Sequence, residues 1–206
     1  MIEQGPLLER LLAGDFICQI SEPDLYRRIS DNNLQHAINQ YLRPLNRRLA
    51  SNDEGSVYFL AYQDLTNSAR DHLGKQFAET VQSLLPVLEW LQLVQETLGR
   101  DVALSAGDTL KMQEFIGRSE DNQSLRQRVH NLATDRFFNS KSDVLDQQIK
   151  LIFTRLKEHG YLLQPHTTRN YYRVTGKIDY LLDVVRFIRD EEQLPVADTP
   201  TQEELL

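Results

Sequence analysis

The chain has 206 residues, 40% of them apolar and 26% charged, enough to bury the core of one large domain or two small ones. A mean hydropathy of −0.48 with no apolar run of membrane-spanning length excludes a transmembrane protein, and the opening Met1-Ile2-Glu3-Gln4-Gly5 lacks the basic-then-apolar layout of a secretion signal, so the protein is predicted to be cytoplasmic. The single cysteine, Cys18, excludes intrachain disulfides and cysteine-cluster zinc sites, while the net charge of −7 argues against nucleic acid unless the charge is unevenly distributed.

Residues 5–13 are predicted as a short helix with Leu7, Leu8, Leu11 and Leu12 inward, closed by Gly14, and Phe16-Ile17-Cys18 as a brief strand. Ser21 is placed to start the next helix, with Pro23 in the first turn, where its missing N–H costs nothing, and Leu25 and Ile29 inward. A further helix from Asp31 carries Leu34, Ala37, Ile38, Tyr41 and Leu42 on one face and ends at Pro44. Residues 47–51 and 56–62 then form a hairpin across Asn52-Asp53-Glu54-Gly55, a turn ending in the residue that tolerates positive φ. Helix, strand, helix, helix, hairpin is the order of a winged helix.

Residues 67–98 read as a long helical stretch with Leu73, Phe77, Val81, Leu84, Leu88, Leu91, Val94 and Leu98 on one face and Pro86 as a kink or break. Leu84-Leu85, Val87-Leu88 and Trp90-Leu91 broaden the stripe beyond what one neighbouring helix covers. The region therefore bridges two domains, contributes to a dimer, or is a core helix of a monomer. Leu84, Leu88, Trp90, Leu91 and Val94 form the candidate dimer or partner surface.

Asp108 is predicted to open a helix with Leu110, Met112, Phe115 and Ile116, and a second from Asn122 holds Leu125, Val129 and Leu132. From Asp143 to His159, Leu145, Ile149, Ile152, Phe153 and Leu156 line one face while Gln147, Lys150, Thr154 and Lys157 form a solvent stripe whose only charges are positive. Ser142 is the predicted cap and His159-Gly160 the stop. Tyr161-Leu162-Leu163 and Tyr171-Tyr172-Arg173-Val174 then form a hairpin with a basic tip. This is either the recognition helix and wing of a winged helix-turn-helix or an amphipathic helix beside an unrelated hairpin. The recurrence of helices followed by a hairpin, at about 7–62 and 106–175, favours the first. A last helix carries Ile178, Leu181, Leu182, Val185 and Ile188 inward, and the chain beyond Asp190 is predicted to be disordered.

The predicted fold class is thus mainly α with small β-hairpins (α+β): tandem winged-helix domains at 1–65 and 106–190, joined by an apolar helical segment at 66–105 and followed by an acidic tail at 191–206. The charge follows this division. Residues 118–189 carry thirteen Lys/Arg against eight Asp/Glu, residues 1–117 ten against sixteen, and residues 190–206 six acids and no base. The second half is the predicted DNA face, with Lys150, Arg155 and Lys157 on the helix and Arg169 and Arg173 on the wing contacting phosphates rather than bases.

Enzymatic signatures are missing. A phosphate loop needs a glycine five residues before its Gly-Lys pair, yet Gly74-Lys75 has Ala69 there and Gly176-Lys177 has Tyr171. The five histidines show no metal-ligand spacing, although His159 and His166 sit where they can approach across the hairpin base. No nucleophile elbow appears. No enzyme, cofactor or metal is predicted.

In its order of elements, and in Phe59-Leu60 after the Glu54-Gly55 turn, the run Leu151–Gly160 and Tyr172-Arg173-Val174-Thr175, the chain resembles the MukE/MksE family of bacterial condensin accessory subunits. Its length is closer to the MksE-like branch. The resemblance implies a non-enzymatic homodimer, nucleoid-associated in the cytoplasm, that binds a kleisin (MukF/MksF-like) and helps an SMC-like ATPase (MukB/MksB-like) hold DNA without sequence specificity in chromosome condensation and segregation. The equivalent subunit of a plasmid-defence condensin and, from another class, a winged-helix transcriptional regulator are the alternatives.

Overall fold

In the computed structural model, which describes residues 5–192, the apolar side chains of the first sixty residues gather on one side of a short sheet. Helix α1 (Gly5–Leu12), strand β1 (Ile17–Cys18), helices α2 (Pro23–Ile29) and α3 (Asn32–Leu42), a 3-10 turn (Arg43–Leu45), and strands β2 (Arg47–Ser51) and β3 (Val57–Tyr62) follow in order. The sheet is antiparallel in the order β1-β3-β2, with Ile17 opposite Tyr58 and Leu49 opposite Leu60. Leu7, Leu11, Ile17, Ile29, Ile38 and Leu42 close the core above it. Asp31 caps α3 by accepting from the N–H groups of Asn33 and Leu34. Asn39 Oδ1 accepts from the Leu49 N–H at 2.8 Å, which fixes the rotation of α3 against β2. Ser21 is not a helix cap: its hydroxyl lies 3.3 Å from Cys18 Sγ, and Glu22 precedes α2 without a side-chain cap.

Helix α4 (Asn67–Leu98) runs 32 residues without breaking at Pro86, so the ring removes one helical hydrogen bond and not the helix. Its second half supplies the fully buried Val87, Trp90, Leu93 and Val94 to a second core. Around that half pack strand β4 (Thr109–Lys111), helices α5 (Met112–Glu120), α6 (Gln123–Thr134) and α7 (Leu145–Glu158), strands β5 (Leu162–Leu163) and β6 (Tyr171–Val174), and helix α8 (Lys177–Glu192). The second sheet is antiparallel in the order β4-β6-β5. The fold is mainly α with two small antiparallel sheets, as the sequence predicts.

The helix expected from Asp108 begins only at Met112. Thr109–Lys111 are strand β4, with Leu110 opposite Tyr172 in the register. A pairing partner sixty residues away overrides the local helical spacing here. Ser142 does not cap α7: it accepts from the Val144 N–H at 3.1 Å and donates to Gln147 at 2.7 Å. At the other end Gly160, at φ +75, lets its own N–H and that of Tyr161 reach back to the carbonyls of Lys157 and Leu156. The predicted acidic tail lies outside the described residues from 193 onward, and Glu191 and Glu192 belong to α8.

The two halves meet along α8. Gly176 comes so close to the first sheet that a Cβ there would fall 2.9 Å from the Cβ of Cys18 and 3.3 Å from that of Val57, and its N–H donates to Cys18 Sγ at 3.2 Å. Tyr180 packs against both Phe16 and Phe59, at centroid distances of 4.8 and 4.9 Å, and the two phenylalanine rings are 5.6 Å apart. Asn52 donates to Asp183 at 3.2 Å and Ser56 to Asp179 at 3.4 Å, docking the first hairpin's turn on the same helix. Burial raises the pKa of Asp179 from its ordinary value, with Glu54 and Asp183 adding repulsion, while the Ala106 N–H and Ser56 oppose the shift.

Since the Cβ atoms facing Gly176 cannot swing aside, Gly176→Ala is expected to lower stability by about 1–3 kcal/mol, read from chemical denaturation. An unchanged midpoint would mean the seam is looser than described. Asp179 tests the electrostatics. With its folded pKa raised, the protonated form stabilises the fold; that contribution is complete below the unfolded value and is lost as pH rises through the folded one. Asp179→Asn is therefore expected to raise Tm at pH 8 and to lose that advantage at acid pH. A Tm difference independent of pH would refute the account.

Candidate partner and nucleic-acid interfaces

The first half of α4 carries an apolar stripe that stays exposed among the described residues. Leu73, Phe77, Val81 and Leu85 recur every fourth residue and are all exposed, Phe77 to 51% and Leu85 to 72%. An exposed apolar row of this kind makes this half of the helix a candidate association surface. The residues expected to form the partner surface divide differently. Trp90 and Val94 are fully buried in the second core, where Trp90 meets Phe153 edge-on at 6.4 Å, so neither has surface to offer a partner. Leu84 and Leu91 are half-buried against the same core, and Leu88 is half-buried. Leu73, Phe77, Val81 and Leu85 carry the exposed area, and their four-residue step is visible in the sequence.

On the second half, Lys150 and Lys157 stand two turns apart on the exposed face of α7. Lys157 Nζ donates to Gln164 Oε1 at 3.3 Å and Gln164 Nε2 to the Arg169 carbonyl at 3.1 Å, so helix and hairpin tip are tied together by a chain of polar contacts. Arg169 is exposed at that tip. Arg173 lies on the outer side of β6, with Tyr172 and Val174 facing the core. The β4 register puts Lys111, exposed, on the same outer side, a cation hidden from sequence reading by the expected helix. Arg155 does not join this face. It points away from Lys150 and Lys157, pairs with Glu158 at 2.9 Å, and its Nε is buried without a partner.

Between the halves lies a cleft of about 520 Å³ lined by Arg10, Glu22, Lys157, Leu163 and Lys177 among others. Its charges are largely committed: Arg10 pairs with Asp15 and Glu22, and Lys177 donates to the His159 carbonyl at 2.8 Å with the Phe16 and Tyr161 rings 5.0 and 4.9 Å away. Burial lowers the pKa of Lys177, partly offset by Asp15. His159 is also lowered, first by burial and then by Lys177 and Arg155. His159 and His166 have separate neighbours, the first stacking on Phe137 at 4.7 Å and the second lying 6.0 Å from Tyr171. Among the described residues, no three His, Cys, Asp or Glu side chains are placed to hold a metal ion. No helix among them is long and apolar enough to cross a membrane.

No curated protein matches the chain. The family model described as condensin complex protein MksE matches residues 5–186, which takes in both cores, the long helix between them and most of α8. The chain belongs to the MksE family of condensin complex subunits.

Proposed function

We propose that this subunit is a non-enzymatic homodimer, cytoplasmic and nucleoid-associated, that grips a kleisin by apolar contacts and helps an SMC-like ATPase hold DNA. The observation that carries this reading is the first half of α4, where Leu73, Phe77, Val81 and Leu85 form a row left exposed by the described residues. A second copy fits it best, because an isologous contact lets one apolar row cover another. Both halves are read as winged helices. In each, a first strand pairs with the last strand of the hairpin, and helices lie between them. The ATPase chemistry belongs to another chain, in keeping with the incomplete phosphate-loop patterns at Gly74-Lys75 and Gly176-Lys177.

Lys150, Lys157, Arg169 and Arg173 are assigned to DNA phosphates, with Lys111 added and Arg155 left to its ion pair. Lysines on a helix grip a backbone at any sequence, as a chromosome-organising clamp requires.

Light scattering of the full chain is expected to give the dimer mass at micromolar concentration, and Phe77→Asp with Leu85→Asp to weaken self-association at least about tenfold. A wild-type monomer refutes the dimer. For the complex, the chain is expected to co-elute with a MukF/MksF-like kleisin. Separate elution at every salt concentration refutes the kleisin contact. Lys150→Glu with Lys157→Glu is expected to leave that co-elution intact, to lower the salt slope of DNA binding by about 0.9 for each lost contact, and to weaken all sequences alike. Unchanged binding would take this face off the DNA.

A further inference from the structure

The exposed side of α3 is built unlike that of α7. Asn33, His36 and Gln40 recur at steps of three and four on one exposed face. Arg43 continues the row into the 3-10 turn, and Arg48 is exposed on the neighbouring strand β2. Residues 32–52 contain Arg43, Arg47 and Arg48 and no acid at all, inside a half of the chain that is acidic in total. The flanking carboxylate of Asp31 is engaged by the N–H groups of Asn33 and Leu34 at 2.7 and 3.4 Å. The His36 and Gln40 side chains hold each other at 3.2 Å, which orders both before any ligand arrives. Buried Ile38 and Leu42, with the Asn39–Leu49 bond, keep this face turned outward.

The hairpin that follows α3 does not offer a second grip. Its turn is docked on α8 through Asn52 and Ser56, and the exposed Asp53 and Glu54 at its tip repel phosphate. A duplex meeting this half is left with the helix face and its arginines. Asn and Gln amides present the paired donor and acceptor that match adenine N6 and N7 in the major groove, which admits a helix, while arginines bind the phosphates on either side.

We propose that α3 reads DNA bases: Asn33 and Gln40, with His36 between them, contact base edges in the major groove while Arg43 and Arg48 hold the backbone. The inference rests on the winged-helix reading above and adds sequence preference to a subunit whose α7 face grips DNA without one. The subunit then biases where its complex sits on a chromosome.

The test selects duplexes from a random-sequence library with the full chain at low salt, using wild type, Asn33→Ala/Gln40→Ala and Lys150→Glu/Lys157→Glu proteins. All substituted positions are exposed, and circular dichroism confirms the fold. Wild type is expected to enrich a motif containing A·T pairs, preferred about tenfold over its scramble for each bidentate contact. Asn33→Ala/Gln40→Ala is expected to lose the preference and keep the salt-dependent affinity. Lys150→Glu/Lys157→Glu is expected to do the reverse, so a change confined to that protein bears on the proposed function alone. No enriched motif, or a motif that survives Asn33→Ala/Gln40→Ala, overturns the inference. So does a variant that loses co-elution with the kleisin while its duplex preference stands, since α3 would then be a protein interface.

Discussion

Trp90 is the point at which the long helix stops being available to other molecules. It is fully buried, meets Phe153 edge-on at 6.4 Å, and lies with Val87, Leu93 and Val94 in the same core as Phe115 and Ile149. Removing so large a side chain from a packed core costs about 3–5 kcal/mol, so this half of α4 is held firmly. The hydroxyl of Tyr161, 3.2 Å from Ser83 Oγ, extends the hold one turn toward the N-terminus and ties the helix to the start of the second hairpin. On the N-terminal side of Ser83 the helix leaves that core, and the stripe of Leu73, Phe77 and Val81 stays exposed among the described residues. One element is thereby divided into a half packed in a core and a half whose apolar stripe is exposed.

The second constraint is the seam at Gly176. Thr175 directs it: its hydroxyl donates to the Gly160 carbonyl at 2.6 Å, and the Lys177 N–H contacts that hydroxyl at 3.3 Å, so the end of α7 and the start of α8 are set together. The glycine then allows the first sheet to approach as near as Cys18 and Val57 stand. Tyr180, clustered with Phe16 and Phe59, and the hydrogen bonds from Asn52 and Ser56 act along the following turns of α8. These contacts couple the modules through one helix, so a load on either is transmitted to the other. That suits a subunit that connects partners.

Legibility in the sequence followed the length scale of the interaction. The α7 helix and its hairpin were readable because the period changes at Gly160, where the residue type and the φ of +75 agree. Strand β4 was not, because Leu110, Met112, Phe115 and Ile116 satisfy helical spacing by themselves and only Tyr172 opposite Leu110 decides otherwise. The width of the α4 stripe was legible, but a stripe does not say which part faces its own chain, and Trp90 and Val94 proved to face inward. Among the basic residues, the three-residue step from Arg155 to Glu158 was a visible reason to set Arg155 apart. Lys111 was hidden by the strand it sits on.

Several acids of this net −7 protein have local partners: Asp31 caps α3, Asp108 pairs with Arg100 at 2.7 Å, Glu96 pairs with Arg128, and Glu158 pairs with Arg155. The exposed remainder is not symmetrical between the modules. The first hairpin has an acidic tip and lies against α8, while the second has Arg169 at an exposed tip beside Lys157. The α3 face is amide-rich and the α7 face lysine-bearing, one suited to directional hydrogen bonds and the other to a diffuse phosphate field. Because the seam takes up the first hairpin's turn and leaves the tip of the second exposed, two modules of similar strand order present different surfaces.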